Sequence, residues 1–304
     1  MTVAEQGQRR ILLIDDDQLQ FRLTRAHFRR FRGEQFALDW EPTYGGGLKR
    51  LLDGGYAACM LDFQLSDHDG LELIREAVSR GCRTPIIFLT ADSTRDIDIQ
   101  AMDAGAFDFL VKGELLPAAL ERSLRYALKL AETLETLHRL ATHDELTGLL
   151  NRREFQRVQK IEEERAQQFG HPLALLMLDL DGFKSVNDVH GHGVGDEVLR
   201  IAGRRIASAV RMVDYAGRIG GDEFAVLLVG TPREAALRVA DRLREAVGAE
   251  AIVTSAAAVT LTASIGLAVF PEEAGSGGAL LARVDQALYR AKAGGRNRVG
   301  GGTA

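Results

Sequence analysis

The sequence predicts an α/β protein of two domains in series. Residues 1–120 read as a doubly wound parallel sheet and residues 143–304 as a second α/β domain, with a helix over 117–142 continuing the last helix of the first. Three observations carry this reading. Short apolar runs alternate with helical segments through the first 120 residues, as in parallel strands covered on both faces. From Pro117 to Thr142 there is no Gly and no further Pro. Strand-like runs at 213–219 and 223–229 flank Gly220-Gly221-Asp222, a hairpin signal whose tight turn is expected to need positive φ at glycine.

The bulk properties agree. A chain of 304 residues can build two cores, and 46% apolar with 27% charged residues is ordinary for a globular protein. A net charge of −5 argues against nucleic acid as the main partner. Cys59 and Cys82 lack metal-ligand spacing, and a reduced, cytoplasmic protein is expected. The polar start and the short apolar run at 11–14 do not make a signal peptide. Residues 251–270 carry no charge, but Val259, Leu261, Ala263, Ile265, Leu267 and Val269 alternate with polar residues. That period of two predicts a loop and a strand, so no membrane span is expected.

In the first domain, a strand at 11–14 delivers Asp15, Asp16 and Asp17. A helix follows, with Leu19, Leu23 and Ala26 on one face and basic residues outside. Strands are expected at 36–38, at 57–61 ending in Asp62, at 85–89 ending in Thr90, and at 107–111 ending in Lys112, with a helix at 71–78. Function gathers at the carboxyl ends of such strands. Asp15, Asp16 and Asp62 would repel one another there without a divalent cation, and Lys112 would balance an added anion. Any one of these acids alone reads as a solvated loop residue; five polar residues in order at successive strand ends do not.

This set resembles the flavodoxin-like receiver domain of response regulators. The resemblance implies that Asp62 accepts a phosphoryl group from a cognate histidine kinase, that Asp15, Asp16 and Asp62 hold Mg²⁺, that Thr90 and Lys112 contact the phosphoryl group, and that Phe109 is the aromatic switch. Asp69-Gly70 matches the loop after the acceptor strand. Ser66 and Gly113 stand where prolines are common. Both are expected to affect loop rigidity and to touch no phosphoryl chemistry.

Along the helix, Leu120, Ala127, Leu134 and Ala141 recur every seven residues. The second core position has two candidate frames, Leu124-Ala131-His138 and Ser123-Leu130-Leu137. A sustained heptad predicts a coiled coil and a homodimer; the competing reading is an amphipathic helix packed on its own domain.

The second domain opens on His143-Asp-Glu-Leu-Thr-Gly-Leu-Leu-Asn-Arg-Arg153. A helix is expected over 153–168 and an apolar strand over 172–178, leading to Asp179-Leu-Asp-Gly-Phe-Lys-Ser-Val-Asn-Asp188. A strand that ends in an acid and feeds a helix through Asp181-Gly182-Phe183 is a ready phosphate site, because free N–H groups at the helix start face the anion. Asp179 and the hairpin acid Asp222 can share a Mg²⁺ that also binds a triphosphate.

Gly220, Gly221, Asp222, Glu223 and Phe224 spell the GGDEF motif, and with the opening segment they resemble the diguanylate cyclases. The resemblance implies a nucleotidyl-cyclase-like α/β domain with a mainly antiparallel sheet. It makes Asp179, the Leu180 carbonyl and Asp222 metal ligands, and Glu223 a further ligand or a base for the 3′-hydroxyl. Gly182, Phe183, Lys184, Lys292 and Arg296 would contact phosphates, and Asn187 and Asp196 would read guanine. One carboxylate accepts both N1–H and N2–H of guanine and repels N1 of adenine, so Asp196 favours GTP. Without that context Asn187 and Asp196 read as helix caps. Arg211 and Asp214 match a site for inhibitory cyclic di-GMP, against the plainer reading of a surface salt bridge. The expected function is a phosphorylation-activated cyclase making cyclic di-GMP from two GTP. The alternative is a non-catalytic response regulator that senses cyclic di-GMP, for which the metal acids would have no use.

Overall fold

The computed structural model describes residues 8–91, 95–271 and 277–301. The chain divides into two compact units, Met1–Thr136 and Leu137–Ala304.

The first unit runs β1 (Arg9–Ile14), α1 (Gln18–Phe28), β2 (Phe36–Glu41), α2 (Tyr44–Asp53), β3 (Ala58–Asp62), β4 (Gln64–Leu65), β5 (His68–Asp69), α3 (Gly70–Ser79), β6 (Ile86–Thr90), α4 (Arg95–Ala104), β7 (Asp108–Val111) and most of α5 (Pro117–Thr142), whose end from Leu137 falls in the second unit. Its five-stranded sheet, ordered β2-β1-β3-β6-β7, is parallel throughout. Alternate residues of each strand face opposite cores. Leu12, Ile14, Cys59 and Leu61 pack with α2 and α3, while Ile11, Leu13 and Met60 pack with Phe28, Leu120, Leu124 and Ala127.

One expectation fails here for a physical reason, and in the first turns of α5 the reading of a helix packed on its own domain holds. In α1 the core face is Gln20, Thr24 and Phe28, whereas Leu19 and Leu23 are exposed. The Asp17 side chain accepts the Leu19 N–H and fixes where the helix starts. The packed aromatics Phe28, Phe31 and Phe36 fix which side turns inward. In α5 the first heptads are consumed by the unit's own core: Leu120, Leu124 and Ala127 are buried, and Ser123 donates to Asp108 at 2.6 Å. Further along the helix Leu130, Leu134 and Leu137 are exposed, as are Tyr126 and Leu140.

The second unit runs β8 (Leu150–Asn151), α6 (Arg152–Phe169), β9 (Leu173–Asp181), α7 (Phe183–His190), α8 (His192–Ser208), β10 (Tyr215–Arg218), β11 (Glu223–Val229), α9 (Arg233–Gly248), β12 (Ile252–Val253), β13 (Ala258–Val259), β14 (Thr262–Phe270), α10 (Gly277–Ala293) and β15 (Val299–Gly300). The sheet order is β15-β14-β9-β11-β10-β8. Its three inner pairings are antiparallel and the two edge pairings parallel. Central β9 is buried on both faces: Leu176 and Leu178 meet α7, α8 and α9, and Leu175 and Met177 meet α6 and α10. Among the described residues no helix is long and apolar enough to cross a membrane.

The hairpin forms as expected, with Arg218 opposite Phe224 and Ile219 N–H donating to the Glu223 carbonyl at 2.9 Å. The expected reason for its glycines is wrong, since neither Gly220 nor Gly221 has positive φ. A Cβ at Gly220 would lie 2.6 Å from Glu223 Oε2, the end of a flexible side chain that can swing aside, so space does not demand glycine there either.

Candidate functional site

In the first unit the parallel sheet brings Asp15, Asp16 and Asp62 together, with one ligand oxygen from each within 4.8 Å of the others. Three hard oxygens at that spacing fit a divalent cation such as Mg²⁺. Lys112 Nζ lies 2.9 Å from Asp15 and 2.8 Å from Asp62. Burial pushes the Asp62 carboxyl up to about 6; the Lys112 hydrogen bond pulls against this and the Asp15 charge adds to it. Burial likewise raises Asp15. It would lower Lys112, but the hydrogen bonds to the two aspartates outweigh it and raise that group overall. Thr90 is buried at the end of β6, and half-buried Phe109 packs from β7 against the core. Gly70 is forced: a Cβ there would collide with the Asp62 carbonyl.

Ser66 corrects the sequence reading. Its N–H and its hydroxyl both donate to Asp16 Oδ2, at 2.8 and 2.6 Å. The residue touches the acid cluster directly, because the short β4–β5 hairpin folds back from Asp62 with Ser66 at its tip. Gly113 lies in the turn after β7, where a Cβ would meet open space.

In the second unit the antiparallel register sets Glu223 opposite Asp179, and Leu180 N–H donates to the Asp222 carbonyl at 3.2 Å. The hairpin acid is thereby fastened to the end of β9. Lys292, from the last turn of α10, lies 2.6 Å from Asp179 Oδ2. Burial raises the Asp179 carboxyl, Lys292 opposes this, and Asp222 and Asp181 add to it. The residues that would hold a Mg²⁺ here are Asp179, Asp222 and the Leu180 carbonyl, hard oxygens whose remaining partners would come from a nucleotide. Glu223 is not gathered in. It faces a 440 Å³ cleft floored by Leu175, Met177 and Ala225, and among the described residues it does not close a three-acid cluster with Asp179 and Asp222.

Gly182 adopts a left-handed conformation (φ 77°) ahead of α7, with no side chain capping the helix. The first N–H groups of α7, at Phe183 and Lys184, therefore lack a side-chain cap. Asn187 and Asp196 are not caps, since each lies inside its helix. Asn187 Oδ1 is buried without a hydrogen-bond partner. A Cβ at Gly195 would overlap that oxygen, so glycine keeps the space beside it open. Asp196 is exposed on the adjoining turn.

Arg211 is exposed and makes no ion pair with Asp214 among the described residues. Asp214 is buried, and its two oxygens accept the N–H groups of Arg211 (3.1 Å) and Val229 (3.2 Å). It anchors the loop that presents Arg211.

Comparison with known proteins decides the family. Residues 141–298 match the family described as diguanylate cyclase, GGDEF domain, and residues 11–123 match the response regulator receiver domain. The chain belongs to the GGDEF diguanylate cyclase family. It is similar to the response regulator PleD of Caulobacter vibrioides, 32% identical over 96% of this chain and 65% of that protein. It is also similar to the diguanylate cyclase TpbB of Pseudomonas aeruginosa, 35% identical over 82% of this chain and 58% of that protein. The chain thus spans about three-fifths of these relatives' length. Among solved structures, the coiled coil and GGDEF domain of DgcB from Caulobacter crescentus, in complex with c-di-GMP, aligns with a TM-score of 0.54 at 33% identity, over 60% of this chain and 97% of that one.

Two groups in the GGDEF domain escaped the sequence reading. Arg218 donates to the Gly220 and Gly221 carbonyls (3.1 and 2.8 Å) and pairs with Asp144 at 3.2 Å, bracing the hairpin from the domain's first turn. Asp181 accepts from Thr262 (2.7 Å), Ser264 (2.7 Å) and Asn297 N–H (3.0 Å). Arg296 and Asn297 have φ of 62° and 44°, an unfavourable pair for non-glycine residues, and Asp181 holds that turn in place. The Arg218–Asp144 pair and the Asp181 contacts join residues distant in sequence, so no local pattern marks them.

Proposed function

We propose that this protein is a cytoplasmic diguanylate cyclase that converts two GTP to cyclic di-GMP and two pyrophosphates, activated by phosphorylation of Asp62 by a cognate histidine kinase. The receiver occupies residues 1–120, the helical linker 117–142 and the cyclase 143–304. The observation that carries the reading is the Leu180–Asp222 hydrogen bond, which sets the hairpin acid against the strand end bearing Asp179 and its partner Lys292.

In this reading Asn187 and Asp196 bind the guanine edge, and the unpartnered Asn187 oxygen supports that role. The α7 N-terminus at Gly182 and Phe183, with Lys184, Lys292 and Arg296, binds the triphosphate. Lys292 leaves Asp179 to do so, which frees the carboxylate as the anion arrives. The 3′-hydroxyl of one GTP attacks the α-phosphorus of another; the bond to the β-phosphate oxygen breaks and pyrophosphate leaves. Glu223 accepts the hydroxyl proton or assists at the metal. Mg²⁺ held by Asp179, the Leu180 carbonyl and Asp222 would neutralise charge on the phosphates, and a second Mg²⁺ would sit among Asp15, Asp16 and Asp62. Each subunit holds one GTP, so the reaction needs a homodimer, for which exposed Leu130, Leu134 and Leu137 supply a seam. Cyclic di-GMP inhibits by binding Arg211 on the loop held by Asp214.

The test is GTP turnover with saturating Mg²⁺, with and without beryllofluoride as a phosphoryl mimic. Beryllofluoride should raise the rate, and Asp222→Ala should lower it about 100-fold or more while leaving the fold intact. Substantial product from Asp222→Ala would overturn the assignment.

A further inference from the structure

We propose that Ser66 is a positioning residue for the receiver's Mg²⁺ site, holding Asp16 in the orientation that ligates the cation. The inference rests on the Mg²⁺ reading of the acid cluster given above.

Asp16 is the exposed member of that cluster, while Asp15 and Asp62 are buried. An exposed aspartate samples several rotamers, and a metal ligand must give that freedom up. Ser66 removes the freedom in advance. Its N–H and hydroxyl both bind Oδ2, and among the described residues Oδ1 has no hydrogen-bond partner, which leaves that oxygen for a cation. The donors sit on a stiff support. Ser66 lies at the tip of the β4–β5 hairpin, where Gln64 pairs with Asp69 and Leu65 with His68, and Leu65 is buried. The hairpin's base is tied to the sheet by Phe63 N–H to the Leu89 carbonyl (2.8 Å) and Gly70 N–H to the Phe63 carbonyl (2.7 Å).

The backbone points the same way. Ser66 has a φ of 53°, one of only three positive values at non-glycine residues among those described. That conformation costs free energy and persists only where contacts over-determine it; here those contacts are the two bonds to Asp16. Proline, common at this place in receivers, has neither an N–H nor a hydroxyl and cannot adopt this φ. The chain thus supplies a two-donor clamp that a proline-bearing loop cannot.

Hydrogen-bonded partners of ligating carboxylates typically set metal affinity by 10- to 100-fold. Ser66→Gly keeps the N–H, tolerates the positive φ and deletes only the hydroxyl, so Mg²⁺ binding by the full-length chain should weaken roughly tenfold. Ser66→Ala should weaken it at least as much. Trp40, the single tryptophan, donates its indole N–H to the Asp15 carbonyl at 2.7 Å, so its fluorescence reads cation binding at the receiver alone. Should that signal be small, calorimetry on chains that also carry Asp179→Asn and Asp222→Asn measures the same constant. In an Asp16→Ala background, Ser66→Gly should change the constant less than about twofold, since a residue acting through Asp16 has nothing left to act on. Unchanged Mg²⁺ affinity in both single variants overturns the proposal. So does an equal loss with Asp16 already removed, which would mark Ser66 as merely structural. A parent receiver that binds no Mg²⁺ would instead overturn the metal reading beneath it.

Discussion

Replacing Asp62 by asparagine should stabilise the receiver at neutral pH in the absence of divalent cations. Asp62 is 7% exposed, and burial raises its carboxyl to about 6 despite the Lys112 ion pair at 2.8 Å. An unfolded aspartate titrates near 4. Below about pH 4 the group is protonated in both states and contributes nothing to the pH dependence. Between about pH 4 and pH 6 the unfolded chain has lost its proton while the folded chain keeps it, so native stability falls as pH rises. Above 6 both states are ionised and the full penalty is present, about 3 kcal/mol for a shift of this size. Asparagine keeps the shape and carries no charge, and Lys112 retains Asp15 at 2.9 Å. Urea unfolding with chelator present, followed by Trp40 fluorescence, isolates the receiver transition. Asp62→Asn should exceed the parent by up to about 3 kcal/mol at pH 7, and the gap should close as the pH is lowered toward 4. A variant no more stable than the parent at pH 7, or a gap that stays constant down to pH 4.5, would refute the reasoning.

Arg211→Ala should relieve inhibition by cyclic di-GMP with little change in initial rate, because the guanidinium is exposed and, in the proposed reading, lies outside the GTP site; dose–response curves with added product check this. Asp196→Ser should reduce discrimination between GTP and ATP by about tenfold or more in competition assays, since a hydroxyl can donate to adenine N1 where a carboxylate repels it. Asp181→Ala should raise KM for GTP roughly tenfold or more by freeing the turn that carries Arg296, and should cost about 1–3 kcal/mol by leaving buried Ser264 unpaired. Unaltered KM with lowered stability would confine Asp181 to a structural role.

The alternation of strands and helices, the acids at strand ends and the GGDEF hairpin were all legible in the sequence. Each is a local pattern: a strand's apolar run is written in consecutive residues, and a parallel sheet places its functional groups directly after those runs. Where local pattern stopped, so did the reading. Leu19 and Leu23 looked like a core face, yet the aromatic packing of Phe28, Phe31 and Phe36 turned α1 the other way. The heptad on α5 left two readings open, and burial of Leu120, Leu124 and Ala127 assigned its first half to the receiver core. The hairpin glycines looked like a demand for positive φ, yet neither Gly220 nor Gly221 has one. Ser66 read as a matter of loop rigidity alone until the β4–β5 hairpin carried it back onto Asp16, 50 residues away in sequence. Sequence determined which chemical groups the chain owns and which elements carry them. Only the tertiary structure decided which of those groups touch, because contact depends on how elements distant in sequence pack, and no local period encodes that.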